Sequence, residues 1–214
     1  MSIFKMLVDP IGKALPGSGE VVLHDLDLLP NSIIAVSGTV TGRQAGDAPT
    51  NLLLEAVTSR DFDNKVAYST RLADGRRLRS STTFLPDFDG NPIAALCINM
   101  DVSSWELILN TAADMLGEHA PETSPTELGP EVFPRDINEL GTYLIDRAIA
   151  NVGVPVDLMH KRHKISVVRE LSEAGLFTLK SAVDTVAEAL GTTRFTIYNY
   201  LNELAPAEGA KGNT

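Results

Sequence analysis

The chain has 214 residues, of which 43% are hydrophobic, 21% charged and 6% aromatic. That globular composition excludes collagen-like, mucin-like and wholly disordered proteins. The net charge of −10 lies entirely in residues 1–151, whereas residues 152–204 balance 6 Lys/Arg against 6 Asp/Glu, which points to two modules with different partners.

No apolar run approaches the ~18 residues of a membrane helix. The start, MSIFKMLVDPIGK, lacks the apolar core and small-residue cleavage site of a signal peptide. The single cysteine, Cys97, excludes an internal disulfide and a cysteine-based metal site. These features lead us to expect a soluble cytoplasmic protein with no membrane contact.

Ser32–Val40 is rich in β-branched residues and reads as the first strand. Asp47-Ala-Pro-Thr-Asn51 then opens an apolar run to Val57, a helix-start pattern. Lys65–Leu72, Arg76–Leu85 and Ile93–Asp101 read as strands separated by turn signals at Asp74-Gly75 and Asp89-Gly90. Ser103 or Ser104 can cap a helix whose Trp105, Ile108, Leu109, Ala112 and Leu116 share one face. This order is that of a small PAS-type sensor domain, so the expected fold is α+β, with the sensor over residues 1–116.

Residues 117–135 hold four prolines and two glycines and read as a linker. Helical periodicity then runs from Asp136 to Leu204, an all-α domain, and the tail 205–214 reads as disordered. Within that domain residues 179–204 carry a helix-turn-helix pattern. Ala187 is small enough for a close crossing, Gly191 suits the turn, and Ile197 is apolar where the two helices meet. Thr192 or Thr193 can cap the second helix.

With Ile197, Leu201 and Leu204 inward, Arg194, Phe195, Tyr198, Asn199 and Asn202 face outward. Arg can read guanine and Asn adenine. Tyr198 can meet phosphate or base, and Phe195 a thymine methyl. Thr193 and Thr196 can hold phosphates, as can Lys161, Arg162 and Lys164 in the acid-free segment His160–Arg169. His160 and His163 lie three apart, but no carboxylate or cysteine accompanies them, so no metal site is expected.

Several segments resemble the YheO-like family of bacterial transcriptional regulators. In the second half they are Val168-Arg-Glu-Leu171, Gly175-Leu-Phe-Thr-Leu-Lys180, Ala182-Val183, Val186-Ala-Glu188 and Arg194-Phe-Thr-Ile-Tyr-Asn-Tyr-Leu201. In the first half they are Gly42-Arg43, Gly46-Asp47, Thr50-Asn51, Asp74-Gly-Arg76, Leu78-Arg-Ser-Ser-Thr82 and Leu96-Cys-Ile-Asn99 with Asp101. The resemblance implies a PAS-like sensor joined to a C-terminal helix-turn-helix.

PAS-type domains can hold haem, flavin or a metabolite. Haem needs an axial ligand, and the only histidines before residue 160 are His24 and His119, the latter in the linker. Cys97 lies in a strand rather than on a helix beside a flavin, and reads as a small buried hydrophobe. No cofactor is expected. A small polar effector remains, with Arg43, Asp47, Asn51, Ser80, Thr82 and Asn99 as candidate contacts. Alternation puts Ser80 and Thr82 on one sheet face without saying which face lines a pocket.

The expected partners are double-stranded DNA, a small-molecule effector and a second copy of the chain, with Ser103–Leu116 and Ile137–Ala150 as candidate dimer helices. The alternative is a sensor or adaptor whose helical domain docks a protein. No catalytic triad, phosphate-binding glycine loop or metal cluster supports an enzyme.

Overall fold

The computed structural model describes residues 1–117 and 131–204. The expected tail and residues 118–130 of the expected linker lie outside the described residues.

Five strands form one antiparallel sheet: β1 (Gly19–Asp25), β2 (Ile33–Ser37), β3 (Lys65–Arg71), β4 (Arg77–Pro86) and β5 (Pro92–Asp101). Their spatial order is β2-β1-β5-β4-β3. Chain order and spatial order differ because β5 returns to pair with β1, with Val22 opposite Cys97 and Glu20 opposite Asn99. β2 is shorter than the expected strand. Gly38 ends it at φ +106°, where a Cβ would stand 2.4 Å from the Gly19 carbonyl oxygen.

The outer face of the sheet is covered by α1 (Ser2–Ala14), whose Val8 packs on Val21, Leu23 and Ala94. The inner face is covered by α2 (Asn51–Ser59), whose Leu53 and Ala56 pack on Phe84 and Ala95. Thr50 caps α2, its hydroxyl accepting from the Leu53 N–H at 3.2 Å. Asp47 lies further back, in the preceding turn, where its carboxylate accepts from the Gln44 N–H at 2.8 Å.

β3 contains a bulge. Lys65 pairs with Thr82 and Tyr68 with Ser80, leaving one extra residue in β3. Ala67 takes φ +58° there and its N–H donates to the Ser81 hydroxyl at 2.9 Å. The bulge resets the alternation, so Tyr68 and Thr70 join Ser80 and Thr82 on the inner face.

α3 (Ser103–Leu116) follows β5 directly and has no side-chain cap; Val102 precedes it. Neither candidate serine caps it. The Ser103 hydroxyl accepts from the Arg77 N–H, and the Ser103 N–H donates to the Asp101 carboxylate. Of its residues only Ala113 is buried.

The second module comprises α4 (Ile137–Val152), α5 (Lys161–Glu173), α6 (Ala182–Ala189) and α7 (Arg194–Leu204). Asp136 caps α4 by accepting from the Glu139 N–H, while the Glu139 carboxylate accepts from the Arg135 N–H. Leu140, Leu144, Ile145 and Ala148 enter a single core with Val167, Val168, Leu171, Val186, Leu190 and Ile197. That face of α4 is consumed by the core and is unavailable for dimer formation, contrary to expectation. The helix expected from Leu179 starts at Ala182, because Leu179 is extended and Ser181 takes φ +67°.

The two modules touch. Leu54 of α2 belongs to the core of the helical module. Gly175, at φ +79°, lies so close to α2 that a Cβ would stand 2.1 Å from the Thr58 hydroxyl oxygen.

Candidate functional site

In the helical module α6 and α7 cross as a helix-turn-helix. Val186, Ala187, Leu190 and Ile197 are buried at the crossing, and Gly191 takes φ +55° in the turn. Thr193 caps α7, its hydroxyl accepting from the Thr196 N–H at 3.2 Å. Tyr200 is also buried in the core, a role periodicity did not single out.

Arg194, Phe195, Tyr198, Asn199 and Asn202 are all exposed, Phe195 at 73%, and Thr196 is half-buried. An exposed aromatic pair on a short helix is costly in water and suits a surface that meets base edges. Arg194 is held by Asp184 of α6 at 2.9 Å, and Lys161 by Glu203 of α7 at 2.8 Å. Arg162 is exposed. Lys164 departs from the expected phosphate contact: its ammonium donates to the Leu190 carbonyl at 2.6 Å. There it serves the C-terminal end of α6, where a cation is favoured by the helix dipole. His160 and His163 form a helix-start pair, the His163 Nδ1 accepting from the His160 N–H, and no cluster of metal-ligating residues occurs among the described residues.

The second site lies under the sheet's inner face. Ser80, Thr82 and Asn99 are buried there, each in a side-chain hydrogen bond. The Ser80 hydroxyl donates to the Asn99 carbonyl oxygen at 2.9 Å, and the Asn99 amide donates to Glu20 at 3.3 Å. Thr82 shares hydrogen bonds with the Tyr68 hydroxyl at 3.0 Å and the Cys97 thiol at 3.5 Å. Burial pushes that thiol up to about 11, which keeps it a neutral packing group.

Arg43 is buried over this face, its Nε donating to the Thr41 hydroxyl at 3.2 Å and its guanidinium lying 5.1 Å from the Phe133 ring centre. The Thr41 hydroxyl and N–H both donate to Glu20. Asn51 accepts from the Val132 N–H at 2.7 Å and so fastens residues 131–133 against α2. Asp47 is the one candidate contact that the structure leaves apart, occupied by its own turn.

Glu131 and Tyr68, absent from the sequence reading, complete this cluster together with His24, weighed there only as a haem ligand. Glu131 is buried, and burial raises its carboxyl to about 7 despite the Thr50 and Tyr68 hydroxyls and the Arg43 charge beside it. His24 is fully buried, shares a 2.8 Å hydrogen bond with Ser32, and is held well below its ordinary value by burial and by Arg43. Tyr68 is raised by burial and by Glu131. Glu131 lies within the segment expected to be loose linker. The available signal was the apolar pair Val132-Phe133, out of place in a polar connection.

A cleft of about 530 Å³ opens beside this cluster, with Thr41, Glu131 and Phe133 on one wall and Glu139 and Tyr143 of α4 on another. This cleft is thus lined by residues of both modules.

Residues 1–117 match the family profile described as a YheO-like PAS domain, and residues 142–202 match an HTH domain. The chain belongs to the YheO-like family. The YheO-like chain is 30% identical to the transcriptional regulator DauR of Pseudomonas aeruginosa, over 94% of this chain and 92% of that protein. It is 28% identical to YheO of Escherichia coli K12, over 94% of this chain and 82% of that protein. A Haemophilus influenzae protein is also 28% identical, over 94% and 89% of the two chains. The YheO-like protein therefore joins a PAS-like α+β sensor fold to a DNA-binding type of helical module. No helix among its described residues is long and apolar enough to cross a membrane.

Proposed function

We propose that this YheO-like protein is a one-component transcriptional regulator. Its α7 reads double-stranded DNA, and a small effector held under the sheet modulates that reading. The observation that carries the proposal is the exposed set Arg194, Phe195, Tyr198, Asn199 and Asn202, displayed on a helix that Ile197 and Tyr200 anchor in the core. The relative from Pseudomonas aeruginosa, named a transcriptional regulator and alignable over nearly the whole chain, supports it.

One such helix covers one half-site, so a dimer supplies the affinity that a charge-balanced reader lacks. Trp105, Ile108, Leu109 and Leu116 of α3 are exposed and provide the apolar surface for pairing. A DNA-reading protein of this kind works in the cytoplasm. The acidic sensor stays away from the phosphate backbone.

The test is binding of the purified protein to its own upstream DNA over a salt series. Arg194→Ala and Asn199→Ala are expected to lose sequence preference, by about 1–3 kcal/mol per base contact. Asp184→Ala is expected to tighten binding, since it frees the Arg194 side chain from a competing carboxylate. Binding no stronger than to random DNA in every variant would sink the proposal and favour a protein-docking role for the helical module.

A further inference from the structure

The buried cluster under the sheet holds three polar atoms without a hydrogen-bond partner among the described residues: Arg43 Nη1, Glu131 Oε2 and His24 Nε2. They come from three separate segments of the chain. Native structures rarely leave such groups unpaired, and an explanation is called for when several meet in one place. Here Arg43 is close enough to act on the ionisation of the other two. Arg43 lowers both His24 and Glu131.

No ion pair joins the Arg43 guanidinium to the Glu131 carboxyl. The reason is that each is held by other partners. Arg43 is tied to Thr41 and stacked over Phe133, whereas Glu131 sits beside Thr50 and Tyr68. The protein thus keeps a cation and an acid apart, each with an unfilled hydrogen-bonding position.

We infer that this cluster, reached from the cleft at Glu131, takes a small amphoteric molecule of the amino-acid class, its carboxylate bound by Arg43 and its ammonium by Glu131, with His24 as a further polar contact. The inference rests on the reading of the PAS-like domain as an effector sensor. A monoanion would satisfy Arg43 and be repelled by an ionised Glu131. A monocation would satisfy Glu131 and be repelled by Arg43. A molecule with both groups satisfies both, and its two pairings offset the desolvation cost that each of its charges pays in a buried site. Guanidinium–carboxylate pairing also supplies orientation through parallel hydrogen bonds. The cleft beside Glu131, about 530 Å³, falls within the range of small-molecule sites and offers the way in.

The decisive experiment is calorimetric titration of the full chain at pH 6.5 with each of the twenty common amino acids. Each amino acid is run against its analogue lacking the amine and its analogue lacking the carboxylate. At least one amino acid is expected to bind, with both of its single-charge analogues at least tenfold weaker. Binding should release protons, read by repeating the titration in buffers of different ionisation enthalpy, because an ammonium beside Glu131 favours its ionised form. Arg43→Gln and Glu131→Gln should each weaken binding at least tenfold, and Glu131→Gln should abolish the proton release. Thermal melts check that both variants fold. A single-charge analogue that binds as well as the amino acid, and is lost in the variants, overturns the amphoteric class while leaving the sensor reading intact. Amino-acid binding unchanged in both variants overturns the site. Absence of binding by any amino acid overturns the inference, and the DNA titration above then decides separately whether the protein is a regulator.

Discussion

Glu131 shows how a single residue ties ionisation to folding. An acid whose folded value is raised to about 7 keeps its proton in the folded protein where the unfolded chain has lost it. Its contribution to stability is therefore full below the ordinary carboxylate range, is lost as pH rises from about 4.5 to 7, and is flat above that. His24 has the opposite sign. Its depressed value costs stability as pH falls below about 6.5, where the unfolded chain gains a proton that the buried ring refuses. Glu131→Gln should be more stable than the native protein by an amount that grows between pH 5 and pH 7, reaching roughly 2–3 kcal/mol. Urea denaturation at pH 5, 6, 7 and 8 measures it, and a difference independent of pH would refute it. Sequence reading placed Ser80 and Thr82 on one face because a period of two suffices for that, whereas the strand register that sets Asn99 opposite Ser80 is known only from the structure. Sequence reading could not say that they face inward, since that depends on what covers each face of the sheet. The one-residue bulge at Val66–Ala67, which brings Tyr68 alongside them, left no periodic trace in so short a strand.

Among the elements, α2 has the most demanding position. One side, through Leu53 and Ala56, roofs the inner face of the sheet, and the other, through Leu54 and Thr58, meets the helical module. α2 thus links the inner face of the sheet directly to the helical module. Gly175→Ala tests this coupling. A methyl group 2.1 Å from the Thr58 oxygen, on a residue at φ +79°, must push the modules apart. The variant is expected to lose about 2 kcal/mol of stability and its response to effector while retaining DNA binding, read by thermal melts and by DNA titration with and without effector. The helices of the second module were legible because their apolar spacing and their stops at Pro155, Gly175 and Gly191 agree with each other. α1 was not, because Pro10 sits inside it. β1 was not either, because it is buried on both faces and its mixture of Val, Leu, Glu and His shows no clean alternation.

At the scale of the whole molecule, α3 is an amphipathic helix with its apolar side uncovered, Trp105 being 63% exposed. The amphipathic pattern was plain in the sequence; that Trp105 and Ile108 stay exposed among the described residues was not. Trp105→Glu with Ile108→Glu should convert a dimer to a monomer in sedimentation equilibrium. Each change should cost less than about 0.5 kcal/mol of monomer stability, and DNA affinity should fall with the loss of the second reading helix. A native protein already monomeric at micromolar concentration would refute that role for α3. The placement of Glu131 also matters for anyone cutting or recombining such proteins. It falls between the two family-matched segments, which end at 117 and resume at 142. A sensor fragment trimmed to residue 117 forfeits its buried acid, and one extended to residue 135 keeps it. Swaps between relatives that inherit this boundary will exchange effector preference only when the short stretch Glu131–Arg135 travels with the sheet.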